Sequence, residues 1–169
     1  DFKEFVITEG ADCVVPAYKG FHPHNSGHTN YAYIREEQYK IFEVSEKKPF
    51  TSDKTQEFTS SGAYYFKSAA LMLHYFRELV DKGLSVGGEF YVSSVVDLMV
   101  KDGLQGLVYE IEHFMQWGTP EDLEEYLYWS RLFSILNSKG AALLPIASSD
   151  LWLILAAGAG SRFAQAGYS

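Results

Sequence analysis

The residues near the carboxyl end of the sequence have the types and spacing of a loop that binds phosphate groups. The stretch LAAGAGSRF (155–163) places Gly158 and Gly160 just ahead of Arg162. Glycines permit a tight turn and a close approach of the backbone to a ligand, and successive N–H groups at a helix start form an anion site. A guanidinium adds a planar fork of donors that matches phosphate oxygens. The stretch therefore predicts a polyphosphate site, with an ordinary strand-to-helix turn capped by Ser161 as the alternative.

Four further stretches carry charged or amide side chains beside glycine or proline: SEKKPF (45–50), SSGAYYF (60–66), GGEFYVS (87–93) and QWGTPEDL (116–123). In open α/β sheets, ligands bind in the loops beyond the carboxyl ends of strands, and these stretches lie at such places. Each also has a purely structural explanation. The charges at 46–48 could be a solvated cluster, Gly62 a strand bulge, Glu89 an acid placed near a helix dipole, and Thr119 a helix cap.

The elements that would position these residues are predicted from the periodicity of the apolar side chains. Helices are predicted for 1–10, where Gly10 ends the helix, and for 69–82, 89–101 and 119–136. Strands are predicted within 11–20, 31–50, 61–68 and 107–118, with a polar turn near Glu36–Gln38 and a mobile loop over 51–60. This alternation predicts an α/β fold in which helices pack on a mixed sheet.

Composition and charge argue against several classes of protein. The chain has 169 residues, which suits one modest domain or parts of two, and its 47% hydrophobic content argues against disorder. A net charge of −8 disfavours a nucleic-acid surface. The single cysteine, Cys13, excludes an internal disulfide and fits a reducing cytoplasm. No signal peptide is visible, and the longest apolar run, 151–159, is too short to span a bilayer.

Taken together, the five stretches resemble the sugar-1-phosphate nucleotidyltransferase family. The first four, in their order and spacing, resemble the second half of that domain across residues 1 to about 133. LAAGAGSRF resembles the first loop of the same family, whose pattern is L-A-x-G-x-G-x-R-[FM]. The resemblance implies a Rossmann-like three-layer mixed sheet of the nucleotidyltransferase type, of which this sequence holds an incomplete set of parts.

The resemblance also implies a domain organisation. Residues 1–136 are expected to form the C-terminal half of one nucleotidyltransferase domain, 137–150 a linker, and 151–169 the first strand and phosphate loop of a second domain. A piece of a tandem protein would have this order. A circular permutation is the less favoured alternative, because the middle of the domain is missing from the sequence.

The activity implied by the resemblance is transfer of a nucleotidyl group from a nucleoside triphosphate to a sugar 1-phosphate or similar phospho-compound. The products would be an NDP-sugar and pyrophosphate, with Mg²⁺ as cofactor, in the supply of capsule or other surface polysaccharide. Arg162 is implied as catalytic. The implied nucleotide-binding residues are Leu155, Ala156, Ala157, Gly158 and Gly160. No nucleic acid or membrane partner is expected, and an assembly of identical chains is left open.

The implied sugar-binding residues come from the first three of the four stretches. Glu46 is expected to contact sugar hydroxyls and Lys47 the sugar phosphate. Gly62 would face the sugar with its backbone, because any side chain there would fill the pocket. Glu89 would form a hydrogen bond to the sugar from the start of a helix. The neighbouring aromatic residues, including Tyr64 and Tyr91, are interpreted as core residues.

Gln116 departs from the pattern of the family. Many relatives carry an aspartate two residues before the glycine of this stretch, where it binds the metal. Glutamine offers a neutral carbonyl oxygen, which is a poorer partner for Mg²⁺ than a carboxylate, so the metal ligands are left unknown. The departure favours an alternative function as a non-catalytic module that binds a sugar phosphate or nucleotide. A zinc site at His22, His24 and His28 is disfavoured relative to a polar surface loop.

Overall fold

The computed structural model describes residues 1–20, 22 and 31–138 of the chain. Within them, the four α-helices are α1 (Phe2–Glu9), α2 (Ala69–Asp81), α3 (Val92–Lys101) and α4 (Pro120–Ser138). The six strands are β1 (Cys13–Tyr18), β2 (Tyr33–Glu37), β3 (Lys40–Ser45), β4 (Phe58–Ser60), β5 (Tyr65–Phe66) and β6 (Gly106–Glu110). A short 3₁₀ helix, Lys54–Gln56, precedes β4.

The six strands form one mixed sheet in the order β4-β2-β3-β6-β1-β5, with a further pairing of β4 to β1. Strands β1 and β6 run parallel, with Cys13 opposite Gly106. The other pairings, such as β2 with β3 and β1 with β4, are antiparallel. The predicted mixed α/β sheet is therefore confirmed.

Helices cover both faces of the sheet. Since successive residues of a strand point to opposite sides, one strand can contribute side chains to two separate cores. Cys13 and Val15 of β1 belong to the larger apolar core, together with Val95 and Met99 of α3. Val14, between them in sequence, packs instead in a second core with Val6 of α1. The helices α2 and α3 thus cover one face and α1 covers the other, as expected for a three-layer arrangement.

Cys13 lies at the centre of the larger core. Its side chain is fully buried, with 0% exposure. Burial, with a smaller contribution from the charge of Asp12, raises the pKa of the Cys13 thiol to about 12. Because the thiolate is the nucleophilic form of cysteine, this residue serves packing.

The segment 51–60 is more ordered than the loop that was predicted for it. It contains the 3₁₀ helix and the buried strand β4. The carboxylate of Glu57 accepts hydrogen bonds from the backbone N–H groups of Phe50, at 2.8 Å, and Thr51, at 2.6 Å. The polar side chains that suggested a mobile loop instead form hydrogen bonds to the backbone, and these bonds order the segment.

The predicted helix over 89–101 begins three residues later than expected. Val86 and Glu89 form an antiparallel bridge around Gly87 and Gly88, so Glu89 belongs to a small hairpin and does not start α3. Both glycines have positive φ angles, 60° and 87°, which suit a tight hairpin turn. The strands predicted within 61–68 and 107–118 are also shorter than expected, since they are confined to β5 and β6.

The predicted start of α4 is confirmed. The backbone N–H of Asp122 donates to Thr119 Oγ1 at 3.2 Å, and the N–H of Thr119 donates to Asp122 Oδ2 at 2.9 Å. This reciprocal arrangement is a capping box, which satisfies N–H groups that the helix itself leaves unpaired. It fixes the loop of QWGTPEDL against the first turn of the helix.

Contacts divide the chain into two units, Asp1–Tyr128 and Trp129–Ser169. The second unit is described only over 129–138, where the rings of Trp129 and Phe133 are stacked with centroids 5.9 Å apart. The predicted boundaries at 136 and 150 stay predictions, because 139–169 lie outside the described residues. In the described part of the chain, none of the helices has the length and apolar character needed to cross a bilayer.

Candidate functional site

A small pocket brings together residues from three of the four stretches, SEKKPF, SSGAYYF and GGEFYVS. Its volume is about 180 Å³. The described residues that line it are Tyr31, Ala32, Glu46, Gly62, Tyr64, Tyr91, Val92 and Ser93. The volume lies below the range of about 300–1,000 Å³ that is typical of pockets for drug-sized ligands, so the pocket suits a smaller group.

Each wall of the pocket comes from the end of a regular element. Glu46 directly follows β3, and Gly62 lies in the turn between β4 and β5. Tyr91 and Ser93 lie at the start of α3, and Tyr31 lies just before β2. The sheet and α3 therefore set the distances between side chains that are far apart in the sequence.

Glu46 is the acidic group of the pocket. Ser93 donates a hydrogen bond from its hydroxyl to Glu46 Oε2 at 2.5 Å. Burial of the half-buried side chain raises the pKa of the Glu46 carboxyl, while the Ser93 hydrogen bond and the charge of Lys47 act in the opposite direction. The carboxylate keeps lone pairs that can accept hydrogen bonds from a ligand.

The titration of Glu46 provides a first test of this geometry. We expect Ser93→Ala to raise the pKa of Glu46 further above the ordinary value of 4.5, because it removes a hydrogen bond that favours the charged form. The measurement is an NMR titration of the side-chain carboxyl carbon. The adjacent Ser94→Ala is the matched control and should leave the midpoint unchanged. A midpoint that falls, or stays the same, in Ser93→Ala would contradict the arrangement.

Gly62 occupies a position that only glycine fits well. Its φ angle is +82°, and a Cβ atom there would lie 3.1 Å from Cε1 of Tyr31. Its N–H donates to Ser60 Oγ at 3.0 Å, and the Ser60 hydroxyl donates to the Tyr64 hydroxyl at 3.0 Å. Gly62 therefore lies in a tight turn between two strands and not in a strand bulge. Its lack of a side chain keeps the pocket open beside Tyr31.

Lys47 and Glu89 lie beside the pocket and are joined to it through Tyr91. Lys47 Nζ donates to the Tyr91 hydroxyl at 2.5 Å and lies 4.0 Å from Glu89 Oε2. The Tyr91 hydroxyl in turn donates to Glu89. Lys47 also has a positive φ angle of 59°, which is uncommon for a residue other than glycine. Neither Lys47 nor Glu89 lines the pocket itself.

Gln116 is buried, with 6% exposure, and takes part in the loop before α4. Its Nε2 donates to Asp122 Oδ1 at 2.5 Å, and Asp122 Oδ2 accepts from the N–H groups of Gly118 and Thr119. Gln116 Oε1 has no hydrogen-bond partner among the described residues. The amide therefore braces the loop in the place where relatives were expected to carry a metal ligand.

The described residues do not fit a magnesium site by themselves. Among them, no group of three or more His, Cys, Asp or Glu side chains is placed to hold a metal ion. The carboxylate of Asp122 is already engaged by Gln116 and two backbone N–H groups. Among the buried side-chain atoms of the described residues, Gln116 Oε1 is the one without a hydrogen-bond partner, and a neutral amide oxygen is a poorer Mg²⁺ ligand than a carboxylate.

Tyr31 connects this loop to the small pocket. A Cβ atom on Gly118 would lie 4.0 Å from the Tyr31 hydroxyl, and one on Gly62 would lie 3.1 Å from the Tyr31 ring. Burial raises the pKa of the Tyr31 hydroxyl, and the charge of Asp122 raises it further. The stretches SSGAYYF and QWGTPEDL therefore approach each other across one tyrosine.

Several predicted site residues lie outside the described part of the chain. They are Arg162 and the loop residues Leu155, Ala156, Ala157, Gly158 and Gly160, and also His24 and His28. Their roles stay predictions.

Sequence reasoning missed the aromatic walls of the pocket. Tyr64 packs against the core, as interpreted, but it also lines the pocket. Tyr91 was interpreted as a core residue, whereas its hydroxyl bonds Lys47 and Glu89 at the pocket wall. Phe90, next to it, is 48% exposed and does not pack the core. The run of tyrosines beside the charged residues was the available signal, because a tyrosine can pair an apolar ring with a polar hydroxyl.

Comparison with solved structures finds proteins of similar fold. A nucleoside-diphosphate-sugar pyrophosphorylase from Vibrio cholerae RC9 matches 72% of this chain with 20% identity and a TM-score of 0.57. A protein from Bacillus anthracis assigned as a glucose-1-phosphate thymidylyltransferase, solved with sucrose, matches 77% of this chain with 17% identity and a TM-score of 0.52. The chain spans about half the length, 48%, of each of these structures.

These likenesses show that the chain has a mixed α/β fold of the nucleotidyltransferase type. At this level of identity they show the fold alone. No protein-family model matches the chain, and no curated protein sequence matches it significantly.

Proposed function

We propose that the whole protein transfers a nucleotidyl group from a nucleoside triphosphate to a sugar 1-phosphate. In this reaction a phosphate oxygen of the sugar 1-phosphate forms a bond to the α-phosphorus of the triphosphate. The bond from the α-phosphorus to the bridging oxygen breaks, and pyrophosphate leaves with its electron pair. Catalysis of this kind depends chiefly on positioning and on stabilising charge.

The observation that carries the proposal is the small pocket on this fold. Glu46 and Gly62, both expected on the sugar side, line one pocket of about 180 Å³ although they were inferred from separate stretches. Three tyrosines surround them, and aromatic rings pack well against the apolar faces of a sugar ring. A half-buried carboxylate among such rings is suited to accept hydrogen bonds from hydroxyl groups.

The groups beside the small pocket and the glycine loop are proposed to bind the phosphates. Lys47 lies beside the pocket, so it is proposed to bind the sugar phosphate. Its ammonium group would then leave Tyr91 and Glu89 and donate hydrogen bonds to the phosphate oxygens. Glu89 is proposed to orient Lys47 as well as to approach the sugar. Arg162 and the glycine loop around Gly158 are proposed to hold the triphosphate, as the sequence predicts.

Magnesium, compartment and pathway stay proposals for the whole protein. Because the described residues do not fit a metal site, we assign no step to Mg²⁺ here, and its ligands would have to come from other groups. Residence in the cytoplasm and a role in making capsule or other surface polysaccharide are proposed from the resemblance to the family.

A paired assay on the intact protein tests the proposal. Isothermal titration with a panel of hexose 1-phosphates measures binding, and a coupled assay measures pyrophosphate release with each nucleoside triphosphate. We expect binding of at least one sugar 1-phosphate, and release of pyrophosphate that requires both substrates. Failure of every hexose 1-phosphate to bind at millimolar concentration would overturn the assignment of the pocket.

A second candidate function is a non-catalytic module that binds a sugar phosphate or a nucleotide. It is favoured by one observation, the use of Gln116 to brace the loop before α4 where a carboxylate was expected. In the paired assay, this candidate is supported by saturable binding of a sugar 1-phosphate with no pyrophosphate release for any triphosphate.

A further inference from the structure

A second pocket lies between α1, the turn from β2 to β3, and β6. It borders the start of β3, whereas Glu46 of the small pocket follows the end of that strand. Its volume is about 430 Å³, which is within the range of small-molecule sites. The described residues that line it are Phe5, Glu9, Gln38, Tyr39, Leu107, Val108, Tyr109 and Glu110, and none of them lines the small pocket.

Three aromatic rings form much of the wall of this second pocket. Phe5 and Tyr109 are half-buried and pack edge to face, with ring centroids 5.1 Å apart. Phe2 contacts the same tyrosine, with centroids 5.0 Å apart. The third ring, that of Tyr39, is 48% exposed. Because the face of an aromatic ring attracts cations, this wall suits a positively charged organic group.

The turn between β2 and β3 is strained where it presents Tyr39. Gln38 and Tyr39 have φ angles of 51° and 65°, a combination that two-residue hairpin turns usually take with glycine or asparagine. The Tyr39 N–H donates to Glu36 Oε2 and its hydroxyl donates to Glu110 Oε2, both at 2.8 Å. The Tyr39 carbonyl accepts from the N–H of Val108, also at 2.8 Å. These bonds hold a tyrosine, in a position that favours glycine, against the pocket.

The charge of the lining is negative. Among the described residues, its charged side chains are two carboxylates, Glu9 and Glu110. Glu110 is bonded to the neutral hydroxyl of Tyr39, which leaves its charge in place, and neither carboxylate forms an ion pair with a described cation. Lys40 of β3 and Lys19, which follows β1, belong to adjoining strand ends but not to the lining.

We propose that the second pocket binds a small molecule that carries an alkylammonium group. The ammonium group lies at the Tyr39 ring, and Glu9 and Glu110 balance its charge. The alkyl body packs on Phe5 and Tyr109. This inference does not depend on the proposed transferase activity, because it concerns a separate pocket and rests on the rings and charges of that pocket.

Titration of the full chain with three compounds of similar shape, followed by ¹H–¹⁵N NMR at neutral pH, tests the inference. Cyclohexylmethylamine is then a cation, cyclohexylmethanol is neutral and cyclohexanecarboxylate is an anion. We expect saturable shifts of the amides of Tyr39 and Glu110 with the amine. The alcohol should bind about fivefold more weakly or worse, because it lacks the cation–π and ionic contacts, and the carboxylate should show no saturable shifts.

Variants separate the ring from the charges. Tyr39→Leu should weaken binding of the amine by about two- to fivefold, whereas Tyr39→Phe keeps the ring and should bind it within about twofold of the unchanged protein. Glu9→Gln combined with Glu110→Gln should weaken binding by about three- to thirtyfold, the effect of losing two exposed ionic contacts. The matched control is Glu4→Gln combined with Glu112→Gln, which removes the same charge from α1 and from the residues after β6, outside the pocket.

Each of four outcomes would overturn the inference. Equal binding of the amine and the alcohol would remove the role of charge. Shifts confined to other acidic residues, such as Glu124 and Glu125 of α4, would place the amine elsewhere. Equal losses in the two double variants would show a general effect of net charge. Absence of saturable binding of the amine at millimolar concentration would show that the pocket does not take an alkylammonium group.

Discussion

We expect Glu46→Gln to weaken the proposed binding of hexose 1-phosphates by about ten- to hundredfold. The reason is that a hydrogen bond to a charged group contributes about 1.5–3 kcal/mol, and each 1.4 kcal/mol corresponds to about a tenfold change in affinity. Glutamine keeps the size and one acceptor oxygen of Glu46, so packing against Ser93 and Tyr64 is preserved. Isothermal titration with the tightest hexose 1-phosphate of the panel measures the change.

The matched control for Glu46→Gln is Glu43→Gln. Glu43 lies three residues earlier, on β3, where its carboxylate pairs with Arg35 at 2.8 Å and does not line the small pocket. Exposed ion pairs contribute about 0–1 kcal/mol, so the control should bind sugar phosphate as the unchanged protein does. An unchanged affinity in Glu46→Gln, or an equal loss in both variants, would remove Glu46 from the site.

Met99→Ala is expected to lower the free energy of unfolding by about 2–5 kcal/mol, the range found for large apolar residues replaced by alanine in protein cores. Met99 has 0% exposure and lies in the core between α3 and the sheet. The substitution removes apolar contacts and leaves a cavity under the helix that carries Ser93. Unfolding in urea, followed by circular dichroism, measures the change.

Leu73→Ala on α2 provides the comparison for Met99→Ala. Leu73 is 48% exposed, and surface substitutions usually change stability by no more than about 0.5 kcal/mol. A loss of no more than about 0.5 kcal/mol in Met99→Ala, the size of a surface change, would contradict the packing described for α3.

The regular elements were predictable where the information lies within consecutive residues. CVVPAY reads as a buried strand because both of its faces are covered, by α2 and α3 on one side and α1 on the other. The start of α4 was predictable because the whole capping box lies within Thr119–Asp122. The late start of α3 was missed, because the side-chain pattern of 89–91 allows a helix as well as the hairpin. The bridge between Val86 and Glu89 decides for the hairpin.

The candidate site was predictable only in part. Glu46 and Gly62 were found through a resemblance, and the structure places both in one pocket. The partner of Glu46 was not predictable, because Ser93 is 47 positions away and approaches only through the packing of α3 on β3. Tyr64 and Tyr91 were interpreted as core residues, because an alternating or helical pattern does not tell which aromatic ring borders a pocket.

The inert thiol of Cys13 makes this chain convenient for spectroscopy. It is the only cysteine in the sequence, and because it is fully buried with a pKa raised to about 12, we expect it not to react with maleimides at neutral pH. A cysteine introduced at an exposed position would accordingly take up a fluorophore or spin label alone, with no need to remove the natural one. The hairpin between α2 and α3 could be followed in this way in the otherwise unaltered protein.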